Sequence, residues 1–195
     1  GGIQVSRNRR DHGRRFAYTL VELVLAVGVL GLSAVLLIPN LVGLTTMETQ
    51  SAVRRLMADI HFAQSEAISN QEYRRVQFLD DGRGYCLLVV DEADFDATFD
   101  ESTATYVEDP AGTFGTHGRY LVDYMADDRY DTVQVGAVQT DGSGNWITFD
   151  AMGSTVVAPG IAAGSGRIVI ESQDEQWEVL VTPMTGRLSV RRITG

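Results

Sequence analysis

The stretch "RRFAYTLVELVLAVGVLGLSAVLLIPN", residues 14–40, constrains this chain more than any other. From Leu23 to Ile38 no side chain is charged, and the apolar run continues past Pro39 and Asn40 through "LVGL" to Leu44. About 20 such residues span a hydrocarbon core as a helix. Residues 1–17 hold Arg7, Arg9, Arg10, Arg14 and Arg15 against the single acid Asp11. With cations before the run and few just after it, the positive-inside rule puts the N-terminus in the cytoplasm and the body across the membrane. A single-pass anchor is expected. A secretory signal peptide also starts basic and turns apolar, but its core is only about 7–15 residues long. Here Glu22 interrupts the place of that core, and "LLIPNLVGL" is too bulky for small-x-small cleavage.

Beyond the run the chain is acidic. Its 195 residues suit one domain plus attachments. The formal charge is 16 − 26 = −10, and without residues 1–17 it becomes 11 − 25 = −14. Such a body repels phosphate backbones within a Debye length of about 8 Å, so nucleic acid is not an expected partner. The one cysteine, Cys86 in "GYCLLVV", excludes an internal disulfide and reads as a small buried apolar group. His12, His61 and His117 make no ligand spacing with it, and no metal site or cofactor is expected.

After Leu44 the chain changes character without a break. Val53, Leu56, Met57, Ile60, Ala63 and Ala67 follow helical spacing, while Arg54, Arg55, Asp59, Gln64, Ser65 and Glu66 fall elsewhere. A helix from Tyr18 to near Ser69 would be about 80 Å long, with Asn70 as its stop. The remainder reads as strands: "YRRVQFL", "GYCLLVV", "RYLVDYM", "TVQVGAV", "WITFD", "GRIVIES", "QWEVLVT" and "RLSVRR". Turn chemistry such as "DDGRG", "TDGSGN" and "TPMTG" separates them and favours antiparallel hairpins, one pairing Arg167–Ser172 with Glu175–Thr182. Glycines at 136, 153, 160, 164 and 166 loosen the middle of this region.

No constellation points to catalysis. "DEADFDATFDESTATYVEDP" is rich in acids, but Asp94, Asp96, Asp100 and Glu101 lack the glycine and terminal glutamate of a calcium loop, so a solvated, mobile loop is expected. "DGSGNW" starts like such a loop with Asp141, Ser143 and Asn145, yet Met152 stands where the bidentate acid belongs. Asp123, Asp127, Asp128 and Asp131 bracket a turn without a nearby histidine or serine. "GRG" and "GSG" lack the lysine of a phosphate loop.

The segment "AYTLVELVLAVGVLGLSAVLLIPN" resembles the N-terminus of type IV pilins and type II secretion pseudopilins. The resemblance implies cleavage by a prepilin peptidase between Ala17 and Tyr18, where the family usually has glycine and phenylalanine. It also implies N-methylation of Tyr18. The free amine of Tyr18 and the carboxylate of Glu22 would then neutralise each other, within one helix as an i, i+4 pair or between subunits, where the pair sets their stagger. The alternative is a charge that snorkels to water at the membrane edge. Gly28 and Gly31, with Ala34 close by, let helices approach closely. Pro39 is expected to kink the helix.

A second resemblance, carried by "RLMADIHFAQSEAISN", "WITFDAMGS" and "WEVLVTPMTGRLSV", is to the GspH/FimT group of minor pseudopilins. It implies an α+β fold, a long N-terminal helix, transmembrane then amphipathic, packed on an antiparallel β-sheet head. The expected divisions are a basic leader at 1–17, a transmembrane and assembly helix at 18–44, its amphipathic continuation at 45–70 and a periplasmic head at 71–195. The implied role is a non-enzymatic subunit of a type II secretion pseudopilus at the bacterial inner membrane. Its implied partners are other pseudopilins in a helical filament, the prepilin peptidase and the membrane. The alternative is a DNA-binding minor pilin of the FimT branch, read through Arg187, Arg191 and Arg192. That branch carries Gly-Arg-x-Arg, whereas here Leu188 and Ser189 follow Gly186 and Arg187. A secreted enzyme with a signal peptide is the third class and predicts a mature N-terminus beyond residue 40.

Overall fold

The computed structural model describes residues 19–110, 118–130, 132–142, 144–173 and 175–193, with 34–46 described by backbone alone. Ala17, Tyr18, His117, Asp131 and Ser143 therefore lie outside the described residues. The chain forms two compact units, Gly1–Leu41 and Val42–Gly195.

The first element is the helix α1, Leu20–Asn70, ending at the expected asparagine. Its start carries the Thr-x-x-Glu pattern of a capping box. The Thr19 Oγ1 accepts the Glu22 backbone N–H at 3.3 Å, and the Thr19 carbonyl accepts that of Leu23 at 3.1 Å. No helix among the described residues is long and apolar enough to cross a membrane. The later part of the expected span, with Ala34 and Pro39, falls where side chains are not described.

Among the described residues of the second unit, ten strands form two antiparallel sheets. A six-stranded sheet is ordered β3-β2-β1-β5-β6-β7, from Leu121–Asp123, Gly84–Val90, Tyr73–Phe78, Trp146–Phe149, Thr155–Ala158 and Ile161–Ala162. A four-stranded sheet is ordered β10-β9-β8-β4, from Leu188–Ile193, Gln176–Val181, Gly166–Glu171 and Gln134–Gln139. The eight expected strands are all present, with "RYLVDYM" reduced to its central three residues as β3. The strands β6 and β7 were not expected. Their hairpin is made by Pro159 and Gly160: Ala158 pairs with Ile161, and Gly160 has φ +73°. Proline followed by a left-handed glycine is type II turn chemistry, legible in "APGI" but obscured by strands of four and two residues.

One core joins α1 to both sheets. Leu56, Ile60, Ala63 and Ala67 pack with Val76 and Phe78 of β1, Phe149 of β5, Ile168 and Ile170 of β8, and Val179 and Val181 of β9. Asp59 departs from the sequence reading. It is 3% exposed, not solvated. At 100° per residue it lies only about 60° from Leu56, on the flank of the apolar stripe, where donors from the sheet can reach it.

Over Asp91–Pro110 the acidic segment is mostly exposed, as expected of a solvated loop, but Phe95, Val107 and Asp109 are buried and anchor it. After a 3-10 turn at Glu92–Asp94, Phe95 is 2% exposed and meets the rings of Tyr73 and Trp146 edge-on at 5.4 and 5.7 Å. Further on, Val89 and Val107 donate to the carbonyls of Thr105 and Leu87 at 2.8 and 2.9 Å, so the segment extends the sheet beside β2. It covers the outer face of the six-stranded sheet and makes a second cluster with Cys86, Leu88, Val90 and Val156. Burial pushes the Cys86 thiol up to about 12, so it stays protonated.

Candidate assembly site

The opening of α1 is an apolar cylinder. From Leu20 to Leu32 every large apolar side chain is at least 60% exposed, and at 100° per residue these positions cover all sides of the helix. At Gly28 and Gly31, apart from the adjacent residues and the helix's own backbone, no heavy atom lies within 4 Å of where a Cβ would stand. Glu22 is exposed in the first turn, where a carboxylate is favoured by the helix dipole by about 0.3–1 kcal/mol. Exposed apolar surface this continuous marks an interaction surface.

Three sequence segments that carry the second resemblance meet in the head. Gln64 of α1 donates through Nε2 to the Gly153 carbonyl at 2.7 Å and the Thr185 carbonyl at 3.0 Å. The turns "DAMGS" and "TPMTG" are thus held to one side chain. Gly153 and Gly186 have φ of +78° and +63°, and a Cβ at Gly186 would lie 2.8 Å from both Gln64 Nε2 and Phe149 Cε1. By sequence Gln64 falls on the polar side of α1, where no role is expected of it. The available signal was its position one turn after Ile60.

A second bracket surrounds Asp59. Its Oδ2 accepts the Tyr85 hydroxyl at 2.7 Å and Arg55 Nε at 2.8 Å, and its Oδ1 accepts the Tyr120 hydroxyl at 2.8 Å. Burial, followed by Tyr124 and Asp59, raises Tyr85 well above its ordinary range, which keeps it a donor. Hydrogen bonds to a charged acceptor contribute about 1.5–3 kcal/mol each. This network explains how the packed face of α1 tolerates a carboxylate.

The three C-terminal arginines do not share one face. Arg187 is exposed in the turn before β10. Arg191 and Arg192 are successive strand residues and point to opposite sides. Arg191 pairs with Glu178, which Arg167 also grips, and Arg192 pairs with Glu175 at 2.6 Å. Both glutamates are buried, and the hydrogen bonds from Arg191 and Arg167 hold Glu178 below its usual carboxylate range. Among the described residues no group of three His, Cys, Asp or Glu is placed to hold a metal ion.

The family model for the type II transport protein GspH matches residues 52–185, from the amphipathic part of α1 to the turn after β9. The chain belongs to the GspH family. As a GspH-family protein it is a minor pseudopilin or pilin, a structural component and not an enzyme. The chain is similar to the minor pseudopilin EpsH from the type 2 secretion system of Vibrio cholerae, at 13% identity and a TM-score of 0.47 over 74% of this chain and 97% of that one. Two crystal forms of the Pseudomonas aeruginosa type IV minor pilin FimU are also similar. One is 18% identical with a TM-score of 0.41, covering 73% of this chain and 91% of that one. The other is 20% identical with a TM-score of 0.44, covering 75% and 90%. No curated protein matches the chain.

Proposed function

We propose that this GspH-family chain is a minor pseudopilin of a type II secretion system. A prepilin peptidase cuts it between Ala17 and Tyr18, and Tyr18 is then N-methylated. Residues 18–44 hold it in the inner membrane, with the leader cytoplasmic and the head periplasmic. It joins other pseudopilins in a short helical filament through its N-terminal helix. The observation that carries this reading is the exposed apolar opening of α1, interrupted by the one carboxylate Glu22. In lipid such an acid needs a partner, and the amine freed at Tyr18 is the one the motif supplies. Pro39 gives the helix a place to loosen between bilayer and filament.

Pairing of Arg191 and Arg192 with Glu175 and Glu178 favours a scaffold over a DNA receptor, because their charge is already neutralised. Intact-mass measurement of the mature protein tests the reading. A chain beginning at methylated Tyr18 supports it, and one beginning beyond residue 40 overturns it in favour of a cleaved signal peptide.

A further inference from the structure

The outer face of the six-stranded sheet holds a buried charge. Arg75, in the middle of β1, is 5% exposed. Its Nε donates to Thr148 Oγ1 at 2.9 Å and its Nη2 to the Phe95 carbonyl at 2.7 Å. The guanidinium carbon lies 4.2 Å from the Trp146 ring centre and 4.9 Å from that of Phe95. Among the described residues no carboxylate forms an ion pair with it, and Asp96 acts only from a distance. Burial dominates and pushes Arg75 down to about 10. A buried cation without a counter-charge is costly, and the two rings offset only part of that cost.

The third nitrogen, Nη1, has no hydrogen-bond partner among the described residues, and the side chain lines a cavity of about 350 Å³. Gln77 lines it too. Its Nε2 donates to the carbonyls of Phe78 and Asn145, at 3.0 and 3.2 Å, which leaves Oε1 as an acceptor. The acidic segment also lines it, with the exposed carboxylates Asp91, Asp94 and Asp100 and the hydroxyls of Thr103 and Thr105. A simple anion on Arg75 would face those acids, and a metal cation held by the acids would face Arg75.

We infer that this cavity binds a zwitterion, its carboxylate on Arg75 Nη1 and its cationic group toward Asp91 and Asp94. Arginine or lysine meets that description, either as a free amino acid or as the last residue of a peptide. The inference stands apart from the assembly role and survives if that role fails.

Fluorescence of the full chain in detergent micelles tests it, with Trp177→Phe leaving Trp146 as the reporter beside Arg75. The probes are Gly-Gly-Arg, its C-terminal amide and free arginine. A saturable change in emission is expected with Gly-Gly-Arg or free arginine. The amide should bind about tenfold more weakly or worse, and so should Gly-Gly-Arg in the Asp91→Asn, Asp94→Asn double variant. Those two exposed positions keep the test independent of folding, which Arg75→Gln would put at risk. Preference for free arginine assigns the ligand to the amino-acid pool, and preference for the tripeptide assigns it to a chain terminus. No saturable response at millimolar concentration, or equal response to acid and amide, overturns the proposal, since a cavity holding water alone cannot tell them apart.

Discussion

The Tyr85 hydroxyl donates to Asp59 Oδ2 at 2.7 Å, and both side chains are buried between α1 and the six-stranded sheet. The bond ties the helix to β2 through a charge placed where the apolar stripe alone would put a leucine. Three donors converge on that carboxylate, so its removal leaves two hydroxyls and a guanidinium facing each other.

Asp59→Ala is therefore expected to lower head stability by about 3–5 kcal/mol. Tyr85→Phe removes one donor and should lower it by about 1–3 kcal/mol. Urea unfolding followed by circular dichroism measures both. If Asp59→Ala unfolds at the wild-type midpoint, the network contributes nothing.

Glu178 should give the head an acid-sensitive component. Arg191 and Arg167 hold its carboxyl below the ordinary 4.5, so the unfolded chain takes up the proton first as the pH falls. Its contribution is complete above about pH 4.5 and is lost as pH drops through the lower folded value. Glu178→Gln should flatten the fall of the urea midpoint in that window. An unchanged slope would mean that other acids set it.

The left-handed glycines differ in what surrounds them. Gly186→Ala meets both a positive φ and contacts at 2.8 Å, and should destabilise by more than about 1 kcal/mol. Gly160→Ala has a comparable φ of +73° but open space around it. Its effect should be the backbone term alone, about 1 kcal/mol. Thermal melts of the two variants should keep this order, and the reverse order would refute the Gln64 bracket as the reason for Gly186.

Glu22→Gln is expected to leave the head folded, because Glu22 is exposed in the other unit. Incorporation into sheared filaments, read by immunoblot against wild type, should fall about tenfold or more if the Tyr18 amine loses a partner in lipid. Wild-type incorporation by this variant would sink the proposed pairing.

Much of the head was legible because its strands carry their own turns. "DDGRG" closes β1 onto β2 with Gly82 at φ +73°, and β8 pairs antiparallel with β9 as expected. The stripe Leu56, Ile60, Ala63 and Ala67 was legible for the same reason, since a helical period is written in neighbouring residues. Asp59 and Gln64 were not. Their polarity sent them to solvent, and only their partners from other elements explain their place. In the acidic segment, counting charges hid Phe95, whose ring closes over the sheet.

Local matters are written in the order of residues: a continuous α1, the antiparallel hairpins, an apolar opening that holds one acid, and the motifs that mark the GspH family. These depend on periodicity, turn chemistry and composition, which act over a few residues. Which polar groups are buried, and with whom, depends on packing between distant elements. Gln64 reaches Thr185 across 121 residues, and Arg75 reaches Thr148 across 73. Hydrogen-bond geometry over such separations exists only after the sheets have packed on the helix, so no local pattern encodes it.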